Sequence, residues 1–232
     1  MNTHQALYPV EQITKMSHQI VSEGYQKLHP LDRMKKLFDE HDENEILITS
    51  SFGTTSAVLL CLLSKVKPEH PVYFINTKYL FEETIAYKNK LADLYGLNVI
   101  EVYPDKNEHL ITRHNKTWLT SPDLCCSINK VSPLEPLKRN HSIWISGLMG
   151  FQNKNRSELN IFEQGKEITK FYPLIDISTN ELATLQEVFE IPEHPLKRQG
   201  YDSLGCQQCT KKGQGRSGRW SGSTKTECGL HL

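Results

Sequence analysis

Short apolar runs alternate with helical patterns along this chain of 232 residues, and the alternation predicts an α/β protein built on a mostly parallel sheet. A second observation points the same way: the first run ends in a glycine turn, Ser50-Ser-Phe-Gly53, that leads straight into an apolar helical segment. Strands separated by helices of about ten to fifteen residues imply right-handed βαβ crossovers. Ligands in such sheets bind beyond the carboxyl ends of the strands, which here are residues 51–53, 76–79 and 147–156.

In chain order, residues 5–40 read as an amphipathic helical lead-in, with Ile20, Leu28, Leu31, Met34 and Leu37 as candidate core contacts. The acidic loop His41-Asp-Glu-Asn-Glu45 gives way to Ile46-Leu-Ile-Thr49, the first strand. A helix over 57–66 follows the glycine turn, so backbone N–H groups and a helix dipole face the turn, as an anion site requires. The turn alone does not separate a phosphate loop from an empty strand-to-helix connection. Val72-Tyr-Phe-Ile75 is the second strand, 82–94 a helix, 97–103 the third strand and Ser142-Ile-Trp-Ile-Ser146 the fourth, ending at Gly147. Residues 180–190 form one more helix, capped by Thr179 or Asn180. Between Thr210 and Thr226 there are four glycines, five Lys or Arg and no acid, so this segment reads as too polar to bury and mobile. The expected organisation is a lead-in at 1–40, an α/β domain at 41–209 and a mobile tail at 210–232, one domain overall.

Bulk composition narrows the classes. Apolar residues at 38% are enough for a single core. Twenty-seven basic side chains against 27 acidic ones argue against a globally electropositive nucleic-acid binder. MNTHQALYPVEQITKMSHQI lacks the apolar run of a signal peptide, and no stretch approaches the ~20 apolar residues that span a bilayer. The expectation is a soluble cytoplasmic protein with no membrane partner. In that compartment cysteines are more often catalytic or metal-binding than disulfide-linked.

Five of the six cysteines form one constellation: Cys125-Cys126, Cys206-x-x-Cys209, and Cys228 within Glu227-Cys-Gly-Leu-His231. Two pairs of thiolates suit an iron–sulfur cluster or zinc. Structural zinc sites usually space two cysteines by two to four residues, which Cys206 and Cys209 obey and Cys125 and Cys126 do not. Adjacent side chains on a helix diverge by about 100°, which suits two irons of a [4Fe–4S] cluster better than one tetrahedral ion. Zinc, and buried free thiols or a redox pair, stay open as alternatives. Cys61, on the apolar helix, reads as a small buried hydrophobe. Cys228 is left as the free thiol, and a nucleophilic thiol must ionise, which nearby positive charge promotes. Lys225 and His231 lie near it in sequence, and Arg216 and Arg219 sit on the same basic segment.

Ser50-Ser-Phe-Gly53, Asn76-Thr-Lys-Tyr-Leu-Phe-Glu-Glu-Thr84, Cys125-Cys-Ser-Ile-Asn-Lys-Val-Ser-Pro-Leu134, Trp144-Ile-Ser-Gly147, Gly200-Tyr-Asp-Ser-Leu-Gly-Cys-Gln-Gln-Cys-Thr210, Gly218-Arg-Trp220 and Glu227-Cys-Gly-Leu-His231 occur in that order. Together they resemble the assimilatory sulfonucleotide reductases, which reduce adenylyl sulfate or its 3′-phosphorylated form to sulfite. The resemblance runs from about residue 35 onward and implies a Rossmann-like sheet of the adenine-nucleotide α-hydrolase type. It assigns Ser51, Phe52 and Gly53 to the nucleotide-binding turn, and places Lys130 between cluster and sulfate. Arg156, Arg216 and Arg219 would grip the substrate, and Cys228 would be the nucleophile, with Glu227 and His231 in support. Cys125, Cys126, Cys206 and Cys209 mark the iron–sulfur branch, which implies one [4Fe–4S] cluster per chain and adenylyl sulfate as substrate. Thioredoxin or glutaredoxin would be the reductant; homo-oligomerisation is left open.

The chain departs from the family pattern twice. Two arginines usually follow the position of Leu148, where this chain has Met149 and Gly150, and the usual aspartate-threonine-glycine after the second strand is Asn76-Thr77-Lys78. Two positive charges are thus missing from a loop expected near the substrate, and Lys78 is a candidate to restore one. Phosphoadenylyl-sulfate reduction and dual specificity are the alternative activities. More distant rivals are an ATP pyrophosphatase-type sulfur-transfer or ligase enzyme and a non-catalytic iron–sulfur nucleotide-binding protein. The former usually carries a Ser-Gly-Gly-x-Asp-Ser loop, and Ser51-Phe-Gly-Thr-Thr-Ser56 lacks its second glycine and its aspartate.

Overall fold

A computed structural model describes residues 23–222 and 225–230. Six strands make one sheet: β1 (Ile46–Thr49), β2 (Val72–Ile75), β3 (Val99–Val102), β4 (Ile143–Ile145), β5 (Phe162–Gln164) and β6 (Thr169–Phe171), in the order β3-β2-β1-β4-β6-β5. All neighbours are parallel except β5 and β6. The four expected strands are present, two of them shorter than their apolar runs. The β5–β6 hairpin was not expected, because each strand is three residues long and carries no clear alternation, even though Phe171 is fully buried.

Side chains on β1 alternate between two cores, as a pleated strand requires. Ile46 and Ile48 enter the main core, whereas Leu47 turns to the other face with Trp144, Leu134 and Ile168. The helix Ser56–Ser64 buries every residue from Ala57 to Leu63 and fills the middle of the main core; Cys61 is among them. A helix apolar on all sides belongs inside a structure rather than on its surface.

Within the expected lead-in the helix runs Pro30–Glu40, with proline preset at its first turn. Met34 and Leu37 are fully buried and Leu31 packs beside them, while Leu28 precedes the helix and Ile20 lies outside the described residues. Arg33 is 2% exposed yet fully paired: Nη1 and Nη2 donate to Asp176 at 2.6 and 2.7 Å, and its other N–H groups reach the carbonyls of Tyr25, Gln26 and Pro173. The last helix, Thr179–Val188, is capped by Ser178 in a capping box with Glu181, one residue earlier than its composition suggested.

The premise that residues 210–232 are too polar to bury does not hold for their described part. Trp220 and Glu227 are 6% and 7% exposed. Polar backbone is paired instead of solvated: Lys211 N–H donates to Gly218 O at 2.8 Å and Trp220 N–H to Cys209 O at 2.9 Å. Among the described residues no helix is long and apolar enough to cross a membrane. The chain winds outward from β1 through β2 to β3 and then crosses back to place β4 on the other side of β1, which opens a crevice at the carboxyl ends of β1 and β4.

Candidate active site

That crevice is a pocket whose floor is the turn after β1. Gly53 N–H donates to Ser56 Oγ at 2.9 Å, and Ser51 Oγ lies 3.2 Å from the same hydroxyl. Thr55 caps the helix Ser56–Ser64 without a side-chain bond, which leaves first-turn N–H groups facing the pocket. Ser51 and Gly53 line the pocket as expected of a binding turn. Phe52 does not: its ring is fully buried, edge-on to Phe74 at 5.3 Å between centroids. Its backbone sits at φ 48°, a costly conformation for a bulky residue, and its N–H bonds Ser50 Oγ. Phe52 therefore pins the turn from beneath rather than touching a ligand.

Four cations line the same pocket: Lys130, Arg156, Arg216 and Arg219. Lys130 comes from a π-helical turn, Ser127–Val131, directly after the helix Pro122–Cys126 that ends in the cysteine pair. Such turns recur at functional sites. Burial works against the Lys130 ammonium, but the sulfurs of Cys206, Cys228 and Cys126 outweigh it and raise its pKa. Lys130 thus stands between the cysteines and the pocket.

The three arginines are held by acceptors of the chain itself. Arg156 donates from Nε and Nη2 to the Glu227 carboxylate at 2.7 and 2.9 Å, and from Nη1 to Gln152. Arg216 Nη2 reaches the same carboxylate at 3.1 Å and the carbonyl of Thr226 at 2.9 Å. Burial and the neighbouring Arg156 push Arg216 down to about 10, so it is still cationic at neutral pH. Arg219 donates to Leu204 O at 2.6 Å and stacks on Trp220 at 4.4 Å. A Cβ on Gly205 would collide with its guanidinium, so the glycine keeps the arginine's seat open. Although burial works upward on Glu227, its bonds to Arg156 outweigh it and hold the carboxyl below the usual range.

Cys228 is half-buried and lines the pocket; His231 lies outside the described residues. On the far side of Lys130, Cys125, Cys206 and Tyr79 form one buried cluster against which Cys209 and Trp118 pack. Cys126 is equally buried. Burial and the neighbouring sulfurs push Cys125 up to about 12; burial pushes Cys126 up to about 11 and raises Cys209. Polar groups reach two of these sulfurs: Thr77 Oγ1 shares a hydrogen bond with Cys206 Sγ at 3.3 Å, and Asn129 Nδ2 donates to Cys125 Sγ at 3.6 Å. Four thiols in low-dielectric surroundings, with polar donors at the sulfurs, are the donor chemistry an iron–sulfur cluster takes. Among the described residues no three His, Cys, Asp or Glu side chains close around a single ion.

Neither departure from the family pattern faces the pocket. Met149 is fully buried in the main core, and a Cβ on Gly150 would lie 2.8 Å from the carbonyl oxygen of Ile175. Lys78 is exposed, with Nζ 4.0 Å from the centre of the Tyr103 ring, and restores no charge to the pocket. Gln152, Trp220 and residues 203–205 also line the site, and sequence reasoning gave them no role.

Residues 45–212 match the family model described as the phosphoadenosine phosphosulfate reductase domain. A curated adenosine 5′-phosphosulfate reductase of Bacillus cereus (strain 03BB102) is 38% identical over 198 residues, covering 82% of this chain and 85% of that protein. The crystal structure of a phosphoadenylyl-sulfate reductase from Candida auris, a phosphate complex, superposes with a TM-score of 0.71 at 22% identity, over 88% of this chain and 98% of that one. An FMN adenylyltransferase of Candida glabrata superposes with a TM-score of 0.56 at 15% identity, over 82% and 71% of the two chains, a likeness of fold.

Proposed function

The chain belongs to the phosphoadenosine phosphosulfate reductase domain family, and from that premise we propose that it reduces adenylyl sulfate to sulfite and AMP through a sulfonate carried on Cys228. One observation carries the reading: Cys228, the only cysteine at the pocket wall among the described residues, meets Lys130 and the arginine group beyond the ends of β1 and β4.

In this scheme the turn after β1 and the open N-terminus of helix Ser56–Ser64 seat the nucleotide phosphate. The Cys228 thiolate attacks the sulfate sulfur; the sulfur–oxygen bond to the phosphate breaks, and AMP leaves with the electron pair. Lys130 and the arginines screen the anionic nucleophile from the anionic substrate and stabilise charge on the leaving phosphate. A dithiol protein, thioredoxin or glutaredoxin, then attacks the Cys228 sulfur. Sulfite departs with the bonding electrons, and the dithiol's second thiol closes its own disulfide and frees Cys228. The sulfur gains two electrons, and the dithiol loses two. Cys125, Cys126, Cys206 and Cys209 would hold one [4Fe–4S] cluster, which when bound supplies a structural and electrostatic centre beside Lys130.

Adenylyl sulfate is chosen over its 3′-phosphorylated form because the relative at 38% identity is named for the former and the chain carries both cysteine pairs. The two nucleotides offered together to one enzyme sample test this: the specificity constant for adenylyl sulfate is expected to be the larger. Equal or reversed constants would refute the choice. Incubation with adenylyl sulfate and no reductant is expected to add about 80 Da to the peptide carrying Cys228, a mass that thioredoxin removes. An adduct on Cys61 would overturn the mechanism.

A further inference from the structure

We propose that Glu227 and Leu230 form a two-point clasp that holds the tail closed and positions the Cys228 thiol in the pocket. The proposal rests on the reading of Cys228 as nucleophile and adds residues that act on the thiol through the chain. The first point is electrostatic. Glu227 is 7% exposed, and each carboxylate oxygen takes two donors: Asn153 Nδ2 at 2.8 Å and Arg156 Nε at 2.7 Å on Oε1, Arg156 Nη2 at 2.9 Å and Arg216 Nη2 at 3.1 Å on Oε2. A desolvated carboxylate with four donors, two of them the fork of Arg156, has one seat and one orientation. Asn153 and Arg156 come from the loop after β4 and Arg216 from the start of the tail, so the bonds tie distant segments together.

The second point is apolar. Gly229 takes φ 85°, a left-handed turn that glycine adopts freely. Beyond the turn, Leu230 packs on the cluster of Leu47, Leu134, Trp144 and Ile168, on the sheet face opposite the main core. The thiol is thereby bracketed on both sides by contacts of different chemistry, neither of which touches it. Glu227 also ties up guanidinium edges of Arg156 and Arg216, two of the cations at the pocket wall. Opening the tail vacates both seats at once and exposes Cys228 to a dithiol protein.

Glu227→Gln keeps the shape and removes the charge; Leu230→Ala removes the apolar anchor and no charge. Each variant, with its cluster loaded and no nucleotide, is alkylated with iodoacetamide across a pH series, and the limiting rate at high pH is read for the Cys228 peptide. In that limit the thiol is fully ionised, so the rate reports access and not the effect of a neighbouring carboxylate on thiol ionisation. The limiting rate is expected to rise about tenfold in Glu227→Gln and about threefold in Leu230→Ala. In turnover, kcat is expected to fall in both with the KM for adenylyl sulfate changed less than about threefold. Limiting rates equal to that of the unmodified protein in both variants overturn the clasp, even where sulfonation of Cys228 proceeds normally. Absence of any sulfonate on Cys228 in the unmodified protein overturns the functional reading instead and leaves the alkylation result standing.

Discussion

Cys125 and Cys228 share a residue type but not a setting: the first is buried among other sulfurs, the second half-buried at the pocket wall. Burial pushes Cys125 and Cys126 up to about 12 and about 11, so without a metal both are neutral thiols at physiological pH, whereas coordination would deprotonate them. The anaerobically purified protein is therefore expected to be brown, with about four irons per chain. Serine at Cys125, Cys126, Cys206 or Cys209 should remove the iron, and Cys61→Ser should not, because Cys61 lies within the apolar helix of the main core. Colourless protein with stoichiometric zinc would sink the cluster. At this scale the sequence draws attention to the cysteines, a rare residue that recurs at telling spacings. It was silent where a role depends on a distant partner. Glu227 finds Arg156 across 71 positions, and Phe52 owes its burial to Phe74 on the next strand. Nothing in either residue's neighbours in sequence announces those contacts.

Elements are fixed by ties that periodicity does not register. The helix Pro30–Glu40 is held to the segment after β6 by the fork of Arg33 on Asp176. Arg33→Ala is expected to cost about 2–3 kcal/mol in denaturant unfolding, under the full penalty for a broken buried pair because Asp176 is half exposed. Burial raises the Asp176 carboxyl, but Arg33 outweighs it and the net shift is downward. Its folded pKa thus lies below the unfolded value of about 3.9, so the pair's contribution is complete above that pH and fades as pH falls through the folded value. The acid limb of the stability profile should flatten in Arg33→Ala; an unchanged limb would remove this pair from the account. The loop after β4 invites a second test. Gly150 N–H donates to Ile175 O at 2.7 Å, and the same oxygen stands in the way of any Cβ. Gly150→Arg, which restores a family-like arginine, should therefore lower stability by about 1–3 kcal/mol and weaken adenylyl sulfate binding by displacing Gln152 and Arg156. Tighter binding at full stability would show that the loop has room for the charge. Strand β1 was readable because its apolar run is unbroken and flanked by turn residues. The β5–β6 hairpin was not, because residues 162–164 pair only with β6 and carry a single apolar side chain, Phe162, too little for a readable pattern.

On the scale of the whole molecule, the pocket draws on the ends of β1, β2 and β4, the π-helical turn and the tail, which no window of sequence spans. The strand–helix alternation located the strand ends, the spacing singled out the cysteines and the family resemblance named all four cations of the pocket; the contacts that hold the tail over them came from tertiary packing alone. The same long-range construction bears on how the chain folds. Trp144 on β4 donates from Nε1 to Thr49 Oγ1 on β1 at 2.8 Å, across the central seam of the sheet. Strand β1 acquires this neighbour only after all the chain between Thr49 and Ile143 has been looped out through three crossovers, and contacts of such separation slow folding. The indole is thus a built-in optical reporter of the step that closes the seam. With Trp118 and Trp220 changed to Phe, Trp144 is the remaining fluorophore of the three tryptophans. In stopped-flow refolding its emission is expected to lag the far-ultraviolet helix signal; simultaneous recovery would mean that the seam zips as fast as its helices form.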